Sequence, residues 1–469
     1  MKYISTRGKA EALGFDDVLL SGLARDGGLY VPDAWPKVSQ AEIAEFSGLP
    51  YAELALRVIR PFVGGTIDDG ALAGIIDEAY SRFDSPDVAP VKDIGNNEYL
   101  MEMFHGPTLA FKDMAMQFLG PVFDHVLKTR GETVTIIGAT SGDTGSAAIE
   151  ACRGRDAIEI FMLHPHGRVS DVQRRQMTTV SDANVHNIAI EGTFDDCQDL
   201  VKAMFNDEPL RDRLRFSAVN SINWARIMAQ TVYYFFAASK VHALGETKGP
   251  VSFAVPTGNF GNVFAGYGAS RMGLDVDQFV VGSNSNDILT RFFESGSMAL
   301  GEVHPTISPS MDIQISSNFE RLLFDLLDRD GDRVRAVMEE FRETGKFSVA
   351  NKALETAQAL FYGACFDDGA TKQTIREVYE ATGELLDPHS AVGLAAARAQ
   401  RRDSRVPMIA LATAHPAKFP DAVQDATGVR PTLPDRMAGL MEGEERCDVL
   451  ANDFEAVRAY VSDHARSGQ

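Results

Sequence analysis

The chain has 469 residues, of which 24% are charged and 45% hydrophobic, and its formal net charge is −21. That length allows about two to four domains and a large core. The acidic balance argues against nucleic acid, whose phosphates need a basic surface, and no apolar run is long enough to span a membrane.

The opening residues, Met1-Lys2-Tyr3-Ile4-Ser5-Thr6-Arg7, are not followed by an apolar signal core, so the expected location is the cytoplasm. Cys152, Cys197, Cys365 and Cys447 form no Cys-x-x-Cys pair or Cys/His cluster. They are expected to be inert thiols, with no metal site. No internal repeat or low-complexity segment is present.

Residues 1 to about 95 read as a mixed, largely helical region. It has a Gly-Gly turn and an extended stretch at Asp26–Pro32, then helical patterns at Gln40–Phe46 and Tyr51–Val63. The pattern then changes. Val134-Thr135-Ile136-Ile137 is a β-branched run ending in Gly138, as expected of a buried strand. Ile158–Leu163, Val185–Ile190, Val251–Val255, Gln278–Gly282 and Met408–Ala412 read as further strands. Helices are expected from Gly145, over Ser221–Leu244, from about Asn262, and near His389–Gln400. Strands alternating with helices predict α/β architecture with parallel sheets, whose ligands sit at the carboxyl ends of strands. From about Pro431 the chain reads as a polar, helical extension.

Four segments carry unusual chemistry. In Phe104–Met114, Lys112 sits among Leu109, Ala110, Phe111 and Met114. It is either a lysine snorkelling from a helix start or a desolvated amine with a lowered pKa, suited to Schiff-base chemistry. Thr140-Ser141-Gly142-Asp143-Thr144 lies between a strand and a helix. Its hydroxyls and N–H groups suit a carboxylate or phosphate, although Asp143 or Thr144 could equally be a cap. Gly258-Asn259-Phe260-Gly261-Asn262 is a second strand-to-helix loop. It is either an anion nest or an ordinary tight turn, and it matches neither a Walker loop nor GxGxxG. Thr413-Ala414-His415-Pro416-Ala417-Lys418 follows the last strand. His415 and Lys418 could face an anion there or lie in a solvated loop.

In this order the segments resemble the threonine synthases, within the pyridoxal-phosphate (PLP) enzymes of fold type II. His105–Asp113 is similar to that family's PLP-lysine motif, and Ser5–Gly8 with Gly22–Pro32 to its N-terminal domain. The extension resembles the family only loosely. The resemblance implies two lobes with parallel-sheet α/β cores (tryptophan synthase β-like) plus an N-terminal domain. The expected divisions are 1–95, a catalytic part at 96–430 with a smaller mobile lobe near 116–216, and the extension at 431–469.

The resemblance also implies roles. Lys112 would bind the cofactor covalently and move protons, Gly258 to Asn262 would cradle its phosphate, and Thr413 would bond its ring nitrogen. Thr140, Ser141, Gly142, Asp143 and Thr144 would hold the substrate carboxylate. Ser221, Asn223, Arg226, His415 and Lys418 are candidates for the substrate phosphate, with a surface salt bridge as the other reading of Arg226. The implied reaction makes L-threonine and phosphate from O-phospho-L-homoserine and water. A phospholyase, an amino-acid dehydratase and a non-catalytic ligand-binding relative are the alternatives. A monomer is expected, with a dimer as the other state.

Overall fold

The computed structural model describes residues 1–245 and 248–465. The N-terminal region opens with Tyr3–Ser5 paired antiparallel to Tyr30–Pro32. Helix Tyr51–Val63 places Leu54, Val58, Ile59 and Phe62 on one buried stripe, as helical spacing of apolar residues requires. That stripe packs against the long helix Trp224–Gly245. This second helix is buried on nearly all sides over its first fifteen residues, which marks it as the central post of the molecule.

Two parallel sheets follow. The larger runs in the order Phe361–Cys365, Val276–Ser283, Val251–Pro256, Met408–Ala412, Glu98–Glu102 and Val91–Asp93, with only the last pair antiparallel. The smaller runs Asp448–Ala451, Val185–Glu191, Ile158–Pro165, Val134–Ala139 and Phe216–Ser217, parallel throughout. Covered by helices on both faces, such strands need continuous apolar runs rather than alternation. Ile158–Pro165, buried at every position, is the clearest case.

The strands expected from sequence are all present, each somewhat longer or the same, the one expected at Gln278–Gly282 running over Val276–Ser283. The helix expected from Ser221 begins instead at Trp224, because Asn223 Oδ1 accepts from Ala225 N at 3.0 Å and holds the preceding residues out of the helix. The stretch after Pro431 is not simply helical. Asp448–Ala451 adds a strand to the smaller sheet and helix Phe454–His464 packs on Phe194–Asn206. Four residues, three of them exposed to solvent, are too short to register as a strand by periodicity.

Helix Lys112–Arg130 spans between the lobes and packs tightly on Asp143–Cys152. A Cβ at Gly120 would lie 2.1 Å from the Ala151 carbonyl oxygen, so the two backbones approach too closely for any other residue. Gly120→Ala is therefore expected to cost about 1–3 kcal/mol of stability. The check is a urea unfolding curve, where the midpoint should fall with the slope unchanged.

Candidate active site

The carboxyl ends of the two sheets face a common site, and Lys112 stands at its centre as the first residue of its helix. The loop leading to it is held on both sides. Ala110 bridges Ala414, Phe111 N donates to Thr413 O at 2.8 Å, and His415 N donates to Leu109 O at 3.0 Å. Leu109 pays for the tight approach with a left-handed backbone, φ 61°. The next residue, Asp113, is buried and accepts from the Thr108 amide at 2.7 Å and hydroxyl at 2.8 Å. Burial pushes its carboxyl up to about 6 despite those bonds.

Lys112 Nζ lies 3.2 Å from Asp143 Oδ2, in a site where its side chain is only 11% exposed. Burial lowers the amine's pKa. Asp143 opposes that shift, while Lys418 and Arg226 add to it. Asp143 opens helix Asp143–Cys152. Burial alone would raise its carboxyl, but the two ammonium groups hold it well below the usual carboxylate range. Its other oxygen, Oδ1, receives Lys418 Nζ at 2.6 Å and Gln173 Nε2 at 2.8 Å. An anion here cannot itself hold a substrate carboxylate, so within the 140–144 loop Asp143 serves as counter-ion.

The rest of that loop is differently placed. The Thr140 hydroxyl accepts from Gly142 N at 3.0 Å and Gly145 N at 2.9 Å, and so caps the helix. Gly142, at φ 141°, lies so close to Gln173 that a Cβ would clash at 2.5 Å. Ser141 is exposed and Thr144 half-buried. Thr144 lines a cavity of about 780 Å³ with Gly138, Ala139, Asn220 and Ile222.

Phe260, at φ 61°, turns the 258–262 loop into helix Gly261–Met272. The Asn262 carboxamide oxygen accepts from Tyr233 at 2.6 Å and Tyr234 at 2.8 Å, while its buried Nδ2 has no partner. The Arg226 guanidinium is buried and, among the described residues, has one bond, Nη1 to Val219 O at 3.0 Å, while its Nε has none. Burial lowers its pKa to about 10, so it stays charged at neutral pH. No carboxylate pairs with it among the described residues, which removes the surface salt-bridge reading.

Of the other expected residues, Asn223 and His415 stand apart. Both ends of the Asn223 amide are committed, to Leu19 O at 2.8 Å and Ala225 N, while Ser221 is half-buried beside it with its carbonyl accepting from Asn318. His415 lines a second cavity, of about 640 Å³, with Phe104, His105 and Arg436, and neither Lys112 nor Asp143 borders it.

Sequence reasoning missed a polar chain behind the site. Ser310 Oγ is 3.4 Å from Asp143 Oδ2, and Ser310 N donates to His389 Nε2. His389 Nδ1 lies 2.8 Å from Asp387. Ser390, which also bonds Asp387, receives Thr413 N at 2.9 Å. Asp387 caps helix Pro388–Gln400, and nothing local in the sequence marks it, Ser310 or Gln173 as part of a site.

Three family models match the chain. They are the threonine synthase N terminus over residues 2–80, pyridoxal-phosphate dependent enzyme over 84–341, and threonine synthase, C-terminal, over 390–461. A threonine synthase from Pseudomonas aeruginosa is 56% identical over 470 residues, with 100% of each chain covered. The chain belongs to the threonine synthase family. A relative from Corynebacterium glutamicum is 43% identical over 99% of this chain and 98% of its own. PLP-bound threonine synthase from Brucella melitensis superposes with a TM-score of 0.97 at 52% identity, covering 99% of this chain and 100% of that one. The yeast enzyme gives 0.94 at 38%, covering 99% and 98%. The C-terminal match takes in most of the extension, whose sequence had resembled the family only loosely.

The cofactor of this family member is pyridoxal phosphate, and the residues present fit it. The unpartnered Asn262 Nδ2 lies at a helix N-terminus whose first N–H groups have no intrahelical acceptor. A desolvated lysine supplies the amine. Among the described residues no helix is long and apolar enough to cross a membrane, and no group of three His, Cys, Asp or Glu could hold a metal. The four cysteines are free.

Burial lowers His415 from 6.5 to about 4, with His105 adding to the shift, and its Nδ1 accepts from Ala417 N at 3.1 Å. A base whose folded pKa is depressed takes up a proton on unfolding. Its contribution to stability is full above 6.5 and is lost as pH falls toward 4. His415→Gln should therefore show a shallower stability loss than wild type over that window, measured by urea melts at several pH values. Parallel curves would contradict the assignment.

Proposed function

We propose that the chain converts O-phospho-L-homoserine and water to L-threonine and phosphate. The observation that carries this reading is a buried guanidinium, Arg226, with no paired carboxylate among the described residues and close enough to bear on the Lys112 amine. One anion site suits the cofactor phosphate. A second cation beside the amine suits a substrate that carries a phosphate of its own.

Lys112 is the residue that binds the cofactor. When bound, pyridoxal phosphate supplies an electron sink for charge developing at the substrate α-carbon. The Lys112 amine, once free and neutral, takes the α-proton and returns protons further along the carbon chain. Arg226 and Ser221 hold the substrate phosphate until it leaves from the γ-carbon. The N–H groups and hydroxyls of Ser141, Gly142 and Thr144 hold the substrate carboxylate, with the Thr140 hydroxyl fixing their loop. Gly258 to Asn262 cradle the cofactor phosphate and Thr413 meets its ring nitrogen. Water adds at the β-carbon, so that atoms balance as threonine plus phosphate. Closure of the smaller lobe would keep bulk water from ending the reaction early.

The test is product analysis with PLP-loaded protein and O-phospho-L-homoserine. Threonine equal to phosphate is the expected result. Phosphate with 2-oxobutyrate would move the function to a phospholyase. Lys112→Ala should abolish both turnover and borohydride-trapped cofactor, and surviving turnover would refute its role. Arg226→Gln should raise KM for O-phospho-L-homoserine by roughly tenfold or more, since losing one charged hydrogen bond costs about 1.5–3 kcal/mol. It should also weaken competitive inhibition by inorganic phosphate. Unchanged values for both would place the substrate phosphate elsewhere.

A further inference from the structure

Lys418 lies in the short helical turn Pro416–Lys418 after the last strand of the larger sheet. Its side chain is wholly buried, 2.6 Å from Asp143 Oδ1, and it also donates to Thr108 O at 2.8 Å. Among the described residues it pairs with no other carboxylate, although its charge also bears on the buried Asp113. Three elements thus meet on one group: Asp143 from the smaller lobe, Lys418 from the larger, and Lys112 from the helix between them. The two oxygens are divided. Oδ1 takes Lys418 and Gln173, and Oδ2 takes Lys112 and Ser310.

A buried carboxylate left without a counter-charge is strongly disfavoured. Lys112 is a poor permanent counter-charge, because an amine that binds an aldehyde or accepts a proton must first be neutral. Lys418 has no competing task. Its shorter contact saturates Asp143 on the side away from Lys112. We propose that Lys418 is a positioning residue that fixes Asp143 and compensates its charge, so that Lys112 is released as a neutral amine instead of being locked in an ion pair. The proposal rests on Lys112 being the cofactor lysine.

The charged groups facing the amine from the elements around it are Asp143, Lys418 and Arg226. Asp113, on its own helix, is turned to Thr108 and Gln117. Removing Lys418 leaves Lys112 as the one ammonium on Asp143 among the described residues and removes one repelling cation. Both changes favour the ammonium form.

The experiment is carbamylation of Lys112 by cyanate in the full-length chain freed of cofactor, followed by peptide mass spectrometry across neutral to alkaline pH. Lys418→Met should label Lys112 roughly tenfold more slowly at neutral pH, one pKa unit being tenfold in neutral amine. Lys418→Arg should restore the wild-type profile. A Lys418→Met profile that coincides with wild type overturns the proposal. Should Lys418→Met fail to fold, Asp143→Asn serves. Its Lys112 should label faster than wild type, and an unchanged profile overturns the proposal as well. Because labelling is read rather than threonine, a wrong substrate assignment would leave this result standing, and a failed labelling test would leave the product analysis untouched.

Discussion

The Asp143 carboxylate is buried between two ammonium groups that reach it from different parts of the chain. Each partner needs the others. The carboxylate could not stay ionised at that depth without a cation. Lys418, with no exposed side-chain surface, finds its counter-charge in that carboxylate. Lys112 is desolvated by the same packing that brings Asp143 within reach. The cluster therefore exists only where both lobes and the connecting helix have come together.

Around that cluster the local field is opposite to the global one. The chain carries a net charge of −21, yet three cations, Lys112, Lys418 and Arg226, converge in one buried region against the carboxylates of Asp143 and Asp113. The excess positive charge there, with the loose donor of Asn262, is what binding a phosphate-bearing cofactor in an acidic protein requires. Arg226 and Arg321 show how differently two buried guanidinium groups can be used. Arg321 spends its donors on Tyr30 O, Ile222 O and Asn318, stitching the N-terminal region to the catalytic core, whereas Arg226 keeps its Nε unpartnered.

Much of this architecture was legible before folding was considered. The runs at Val134, Ile158, Val185, Val251 and Met408 are apolar and β-branched enough to be strands in isolation. The Gly-rich loops after two of them read as anion sites, and Phe260 and Asn262 have the backbone and the free donor expected of one. The short edge strands Phe361–Cys365 and Asp448–Ala451 were not legible, because only a neighbour's hydrogen bonds make them strands. Asn223 and Thr140 carried the right residue types, but the fold commits both side chains to backbone capping.

The sequence by itself determined the α/β alternation, the lysine in its apolar setting and the positions of the Gly-rich loops at strand ends, since those depend on residues close together in the chain. Only the tertiary structure decided which charges face one another. Asp143 and Lys418 are paired across hundreds of residues, Ser310 and His389 join them from two further segments, and Arg226 is left without an acid. Whether a charge is paired or free depends on distance in space and on burial, and no local pattern encodes either.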